Sequence, residues 1–113
     1  MTPDTPQNTA SVLDFVGFFK AFCNTTRARI IDQLLDGEKC VCELTAQLNI
    51  SQPLISHHLA TLRASGFVLL RNEGSRTYYA IDWDTLEREF ADFAALMQER
   101  RQRPVSSPSI ACA

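Results

Sequence analysis

Apolar residues recur at helical spacing over 11–22, where Val12, Phe15, Val16, Phe18, Phe19 and Phe22 form an aromatic-rich stripe. That stripe predicts a core or interface helix. Asn24, Thr25 and Thr26 supply capping-type side chains for a second helix. Its apolar positions are Ile30, Ile31, Leu34 and Leu35, and Asp36-Gly37 stops it. Over 40–49, Val41, Leu44 and Leu48 share one face of a short third helix that ends near Asn49. Ile50 anchors a tight connection. Ser51 then caps a fourth helix with Pro53 in its first turn, where proline is tolerated. That helix reaches about Ala64, and Gly66 ends it. Leu54, Ile55, Leu59 and Leu62 form its expected apolar face, while Gln52, Ser56, His57, Ala60, Thr61 and Arg63 form the other.

After Gly66 the pattern changes. Residues 67–70 and 77–81 are β-type runs separated by a turn at Gly74, which predicts a hairpin. Asp82 or Asp84 caps a last helix whose apolar positions are Leu86, Phe90, Phe93, Ala94 and Met97, and which closes on Arg100, Arg101 and Arg103. The expected order is α-α-α-α-β-β-α, mainly α with a small β-hairpin. A short helix, a tight turn and a second helix with a polar outer face make a helix-turn-helix, and a hairpin directly after it makes that winged. The Pro- and Thr-containing segment 1–10 reads as a disordered lead-in. The segment 104–113, with two Pro and three Ser, reads as a flexible tail. One ordered domain is left, over 11–103.

Composition narrows the function classes. A chain of 113 residues holds one domain with a modest core and little room for a deep substrate cleft, so an enzyme is not expected. There is no apolar run long enough for a membrane span and no signal-peptide pattern at the start, so the expected setting is cytoplasmic, with no membrane partner. The net charge of −2 does not describe a polyelectrolyte binder. Locally the sign reverses. From Ser51 to Ile81 three arginines (Arg63, Arg71, Arg76) face one glutamate (Glu73), a net of +2.

The fourth helix suits the DNA major groove. Ser51, Gln52, Ser56 and His57 bring hydrogen-bonding groups to its N-terminal half, and Gln can bond adenine bidentately. Ser51 and the helix N-terminus suit a phosphate. Arg63 can reach the backbone, and Arg71 and Arg76, flanking the hairpin turn, can track a phosphate or enter the minor groove. His58 points about 100° away from His57 and reads as a packing residue. The partner these residues imply is double-stranded operator DNA.

Four cysteines stand at 23, 40, 42 and 112. Cys40 precedes the third helix and Glu43 follows three residues later, the spacing of a capping box with a thiol in place of a hydroxyl. A helix N-terminus favours thiolate, the form that binds soft ions. Inside a helix two such residues would diverge, but Cys40 is not yet helical, so the two sulfurs can converge. An ion held there would pull on the helix next to the reading helix and weaken DNA binding.

These motifs resemble the ArsR/SmtB family of metal-responsive repressors. The stretch E-K-C-V-C-E-L at 38–44 is similar to the cysteine box of the arsenic- and cadmium-type members. N-T-T-R-A-R-I-I at 24–31, the S-Q-P-L-I-S-H-H-L-A-T-L helix at 51–62 and the wing Gly74 to Tyr79 fit the same family. The resemblance covers roughly 11–103. It implies a homodimer paired through the first and last helices, and a repressor that leaves its operator when an inducer binds.

Departures from the family pattern bear on the inducer. Thr45 stands where bacterial arsenic sensors often carry a third Cys. Asp82-Trp83-Asp84 opens the last helix with no His after it, which argues against the zinc-type site. Residues 1–10 hold no Cys of the cadmium type. Arsenic(III) takes three thiolates, so the expected set is Cys40, Cys42 and Cys112, with Cys23 as the alternative third ligand or a small thiol completing the site. Cys23 itself is expected to be packed. Three-coordinate sulfur favours As(III) or Sb(III) as inducer, whereas a fourth ligand would favour Cd(II), Pb(II) or Zn(II). Thiol oxidation or persulfidation is another possible trigger. From other classes, a thiol oxidoreductase lacks the C-x-x-C and βαβ context, and a constitutive DNA-binding module would leave the cysteines inert.

Overall fold

The computed structural model describes residues 11–103. The expected tails at 1–10 and 104–113, and Cys112 with them, lie outside the described residues. A 3-10 turn, Val12–Phe15, leads into five α-helices and three strands: α1 (Val16–Lys20), α2 (Thr25–Leu35), β1 (Lys39–Cys40), α3 (Val41–Leu48), α4 (Gln52–Ala64), β2 (Val68–Glu73), β3 (Arg76–Ile81) and α5 (Trp83–Gln102).

The single helix expected over 11–22 is divided and ends early. Ser11 and Asp14 close a capping box on the 3-10 turn, and Phe15 leaves α geometry at φ −108° and ψ 6°. Beyond Lys20 the amides of Ala21, Phe22 and Cys23 bond back three residues rather than four. The Arg27 guanidinium donates to the carbonyls of Lys20 (3.0 Å) and Ala21 (3.2 Å), satisfying helix-end acceptors that would otherwise be orphaned.

The remaining helices start and stop on their expected signals. The Asn24 side chain accepts from the Arg27 amide at 3.0 Å, and the Ser51 hydroxyl accepts from the Leu54 amide. Asn49 sits in the left-handed region at φ 56°, ending α3, and Arg29 of α2 donates to the freed Leu48 carbonyl at 3.2 Å. Gly66 at φ 83° ends α4 in a Schellman arrangement. The Phe67 amide bonds the Leu62 carbonyl and the Gly66 amide bonds that of Arg63.

The sheet has three antiparallel strands in the order β1-β3-β2, so the expected hairpin is present with an unforeseen third strand on it. Lys39 pairs with Tyr79 and Cys40 with Tyr78. In the hairpin, Val68 pairs with Ile81 and Glu73 with Arg76 around Gly74-Ser75, where Gly74 takes φ 63°.

Ile30, Leu34, Leu44, Ile55, Leu59, Leu62 and Phe67 are fully buried where α2, α3, α4 and β2 meet. Leu54, expected in this face, is 43% exposed, while Ile55, about 100° further round the helix, takes the inward position with Leu59 and Leu62. Phe18 packs edge-on to Phe19, Phe22 and Phe90, and Phe93 packs against Phe15 and Phe19, which docks α5 on the N-terminal segment. Leu86 and Leu96 are the buried residues of α5, while Phe90 and Met97 of the expected stripe remain 46% and 40% exposed. Among the described residues no helix is long and apolar enough to cross a membrane.

Candidate nucleic-acid interface and cysteine pair

The connection between α3 and α4 is only Asn49, Ile50 and Ser51, which sets the two helices as a helix-turn-helix. Gln52, Leu54, Ser56, His57, Ala60 and Arg63 all lie exposed on α4. His58 faces inward at 7% exposure, with its Nδ1 3.5 Å from an Arg27 guanidinium nitrogen. Burial pushes the His58 pKa down, helped by the positive charge of Arg27 and by His57. It is a packing residue, as expected, and the outward side chain of the pair is His57.

The two wing arginines differ. Arg76 begins β3 beside the turn and is exposed. Arg71 is engaged within the protein. Its Nε and Nη2 form a fork on the Glu38 carboxylate at 2.9 and 2.8 Å, Nη1 meets Glu73, and the guanidinium lies 4.8 Å from the Tyr78 ring centroid. Hydrogen bonding from Arg71 holds the Glu38 carboxyl below its ordinary pKa, and Glu38 with Glu73 holds Arg71 firmly charged. A phosphate reaching Arg71 would have to compete with two carboxylates. Sequence spacing gave no signal of this pair, whose members are 33 residues apart.

Cys40 occupies the junction of β1 and α3. It is the N-cap of α3 in extended geometry, its amide donates to the Glu43 carboxylate at 2.9 Å, and it is 2% exposed. Cys42, one position into the helix, is exposed. Their sulfurs meet in a disulfide. The convergence expected from a non-helical Cys40 is therefore realised. A cleft of about 210 Å³ lies beside the pair, bordered by Cys40, Cys42, Gln52, Ser75, Arg76 and Thr77. It joins the cysteine pair, the first residue of α4 and the wing turn, a juxtaposition sequence reading missed because β1 has too few residues to show a period.

Cys23, expected to be packed, is exposed. The backbone turn after α1 aims Phe22 inward, onto Phe67 at 5.2 Å, and turns its neighbour out. Among the described residues no group of three His, Cys, Asp or Glu side chains is gathered to hold a metal. The pair thus supplies two soft donors, and Cys23 is not brought to them. The Thr45 hydroxyl donates to the Val41 carbonyl at 2.9 Å, within its own helix.

Five helices with a three-stranded wing sheet, and a short-turn pair of helices beside it, define a winged helix-turn-helix protein. Residues 24–69 match the profile of the bacterial regulatory protein, arsR family. An arsenic resistance transcriptional regulator of Pseudomonas putida is 47% identical over 64 residues, covering 56% of this chain and 50% of that protein. An HTH-type transcriptional regulator of Methanocaldococcus jannaschii is 44% identical, covering 56% of this chain and 72% of that protein. The solved structure of the transcriptional regulator HlyU from Vibrio vulnificus is 33% identical with a TM-score of 0.62, covering 82% of this chain and 94% of that one. The chain spans about half the length of the Pseudomonas relatives it matches. The chain belongs to the arsR family of bacterial regulatory proteins, whose named relatives are transcriptional regulators and not enzymes.

Proposed function

We propose that this protein is a cytoplasmic transcriptional repressor that binds operator DNA as a homodimer and dissociates when As(III) or Sb(III) is captured by Cys40 and Cys42. The observation that carries the reading is the convergence of the two sulfurs at the start of α3, one of them on a residue that also belongs to the wing sheet. A trivalent metalloid takes the two thiolates and one further donor, for which Cys112 is the candidate. Soft three-coordinate sulfur disfavours hard divalent ions. The arsenic resistance function of the Pseudomonas relative supports the same choice of inducer.

On the DNA side, Gln52, Ser56 and His57 face base edges in the major groove. Ser51 at the helix N-terminus, Arg63 and Arg76 take phosphates, with Arg71 held in reserve by Glu38. Val12, Leu13, Val16, Phe90 and Met97 are exposed apolar residues of the N-terminal segment and α5, and a second copy covers them. Ligation repositions the first turn of α3 and the β1 end of the sheet, so it acts on the reading helix and the wing together. Such coupling is typically about 1–3 kcal/mol, and near-complete release needs about 5.5 kcal/mol of differential binding.

The test is operator binding by the reduced full chain, titrated with arsenite, antimonite and divalent cadmium, lead and zinc. Arsenite release that disappears in Cys40→Ser and Cys42→Ser supports the reading. Release by the divalent ions alone would replace the inducer, and no operator binding at all would refute the repressor.

A further inference from the structure

Both sulfurs of the inducer pair are already bonded to each other, yet every element of the DNA-reading unit is in place around them. Cys40 caps α3 with its amide on Glu43, the helix runs from Val41 to Leu48, Asn49 makes the tight turn, and Cys40 pairs with Tyr78 of the wing. The bond joins residues two apart, so it closes a very short loop and restrains the unfolded chain little compared with a long-range crosslink. A long-range staple would fix one element against another. This bond lies wholly at the β1–α3 junction, between residues two apart in the chain.

We propose that Cys42 is a redox modification site, and that its oxidation to the Cys40–Cys42 disulfide leaves the protein competent for DNA while blinding it to the metalloid. The proposal rests on the reading of Cys40 and Cys42 as the inducer site. The two sulfurs have unequal access. Cys42 is exposed and Cys40 is almost completely buried, so an oxidant from solution meets Cys42 first.

With hydrogen peroxide as the oxidant, the Cys42 thiol takes one oxygen to become a sulfenic acid and water leaves. The Cys40 sulfur then attacks the Cys42 sulfur, the S–O bond breaks, and a second water departs with the Cys40 proton. Two electrons pass from the two thiols to one peroxide. A low-molecular-weight disulfide does the same by exchange, through a mixed disulfide on Cys42 that Cys40 resolves, with two small thiols leaving. In either product neither sulfur is free to bond arsenic. The oxidised protein has no means of sensing an inducer, and a thiol reductant restores it.

This sets oxidation and metalloid in opposition at one site. A modification shifts a conformational equilibrium only if it interacts differently with the two states. With the disulfide in place the α3 cap, the Asn49 turn and the pairing of Cys40 with Tyr78 are all formed, so the bond is compatible with an intact helix-turn-helix and wing. The metalloid differs because its third bond must go to a donor outside this junction.

The experiment uses full-length protein carrying Cys23→Ser and Cys112→Ser, so that oxidation is confined to the pair, beside the wild type. Operator affinity is measured by fluorescence anisotropy on the reduced protein and on protein oxidised with peroxide, the disulfide being verified by intact mass. Oxidised wild type is expected to bind the operator as tightly as reduced wild type. Arsenite should weaken the reduced form by about tenfold or more and leave the oxidised form unchanged until a phosphine reductant is added. In the Cys23→Ser, Cys112→Ser background the oxidised and reduced affinities should again agree. In that same background, a sulfenic-acid probe should label Cys42 when Cys40→Ser is added, and should label the buried Cys40 far more slowly when Cys42→Ser is added instead.

Loss of operator binding on oxidation alone would overturn the proposal, as would arsenite release of the oxidised wild type or equal labelling of the two cysteines. Failure of arsenite to release the reduced wild type would instead refute the inducer reading on which the proposal stands.

Discussion

The backbone of Cys40 pairs with that of Tyr78, so the residue that caps α3 also ends the sheet that carries the wing. The Tyr78 ring in turn lies against the Arg71 guanidinium, and Arg71 reaches back to Glu38, two residues before Cys40. Cysteine pair, wing and ion pair therefore form one connected patch. Under the proposed function, a metalloid that draws Cys40 toward a third donor is expected to act on α3 and the wing sheet together, without crossing the hydrophobic core.

The two wing arginines should respond differently to mutation. Arg76→Ala should lower the slope of log affinity against log salt by about 1, the loss of one phosphate contact. Arg71→Ala should lower it less, because Glu38 and Glu73 already hold that guanidinium. Glu38→Gln should leave Arg71 held by Glu73 alone, raising operator affinity and steepening the slope. Anisotropy titrations at several salt concentrations read all three. Equal slopes for Arg71→Ala and Arg76→Ala would contradict this division.

The same pair has an acid signature. Glu38 titrates below its ordinary 4.5 in the folded protein because Arg71 hydrogen-bonds its charged form. A depressed folded value means that the stabilisation is complete above about 4.5 and is lost as pH falls through the folded value. An NMR titration should place the Glu38 midpoint below 4.5 and return it to the ordinary value in Arg71→Ala.

His58 gives a second pH dependence at higher pH. Its folded pKa lies below 6.5, chiefly through burial. Stability should be full above about 6.5 and fall as pH drops through the folded value, because the unfolded chain takes the proton more readily. His58→Gln should remove this slope from thermal melts between pH 7 and the acid limb, at a cost of roughly 1–3 kcal/mol for repacking a buried site. An unchanged pH slope in the variant would assign the effect elsewhere.

Leu54 should read a thymine methyl. It is exposed on the reading helix between Gln52 and Ser56, and apolar side chains recognise that methyl in the major groove. Replacing thymine by uracil at one operator position should weaken wild-type binding about fourfold, the worth of one buried methyl at roughly 0.8 kcal/mol. Leu54→Ala should be insensitive to the same replacement. Sensitivity retained in the variant would remove Leu54 from the reading set.

Much of this was legible in the chain. Asn24, Asn49, Ser51, Gly66 and Gly74 mark their boundaries because each does a local backbone job that few residue types can do. The cysteine convergence followed from Cys40 lying one step outside the helix. What escaped were relationships between distant residues. A two-residue strand has no alternation to detect, so β1 and its link to Tyr78 were invisible. Adjacent Leu54 and Ile55 offer two choices for the inward position, and only the packing decides. The early end of the first helix is capped by Arg27 from the next element, and Cys23 is turned outward by the turn that follows it.

The central claim is tested most directly by operator anisotropy with reduced wild-type protein under rising arsenite, run beside Cys40→Ser and Cys42→Ser. The account predicts release of the wild type by about tenfold or more in affinity, with both variants bound and unresponsive. Arsenite release that persists in both variants, or a wild type that stays bound throughout, would contradict it.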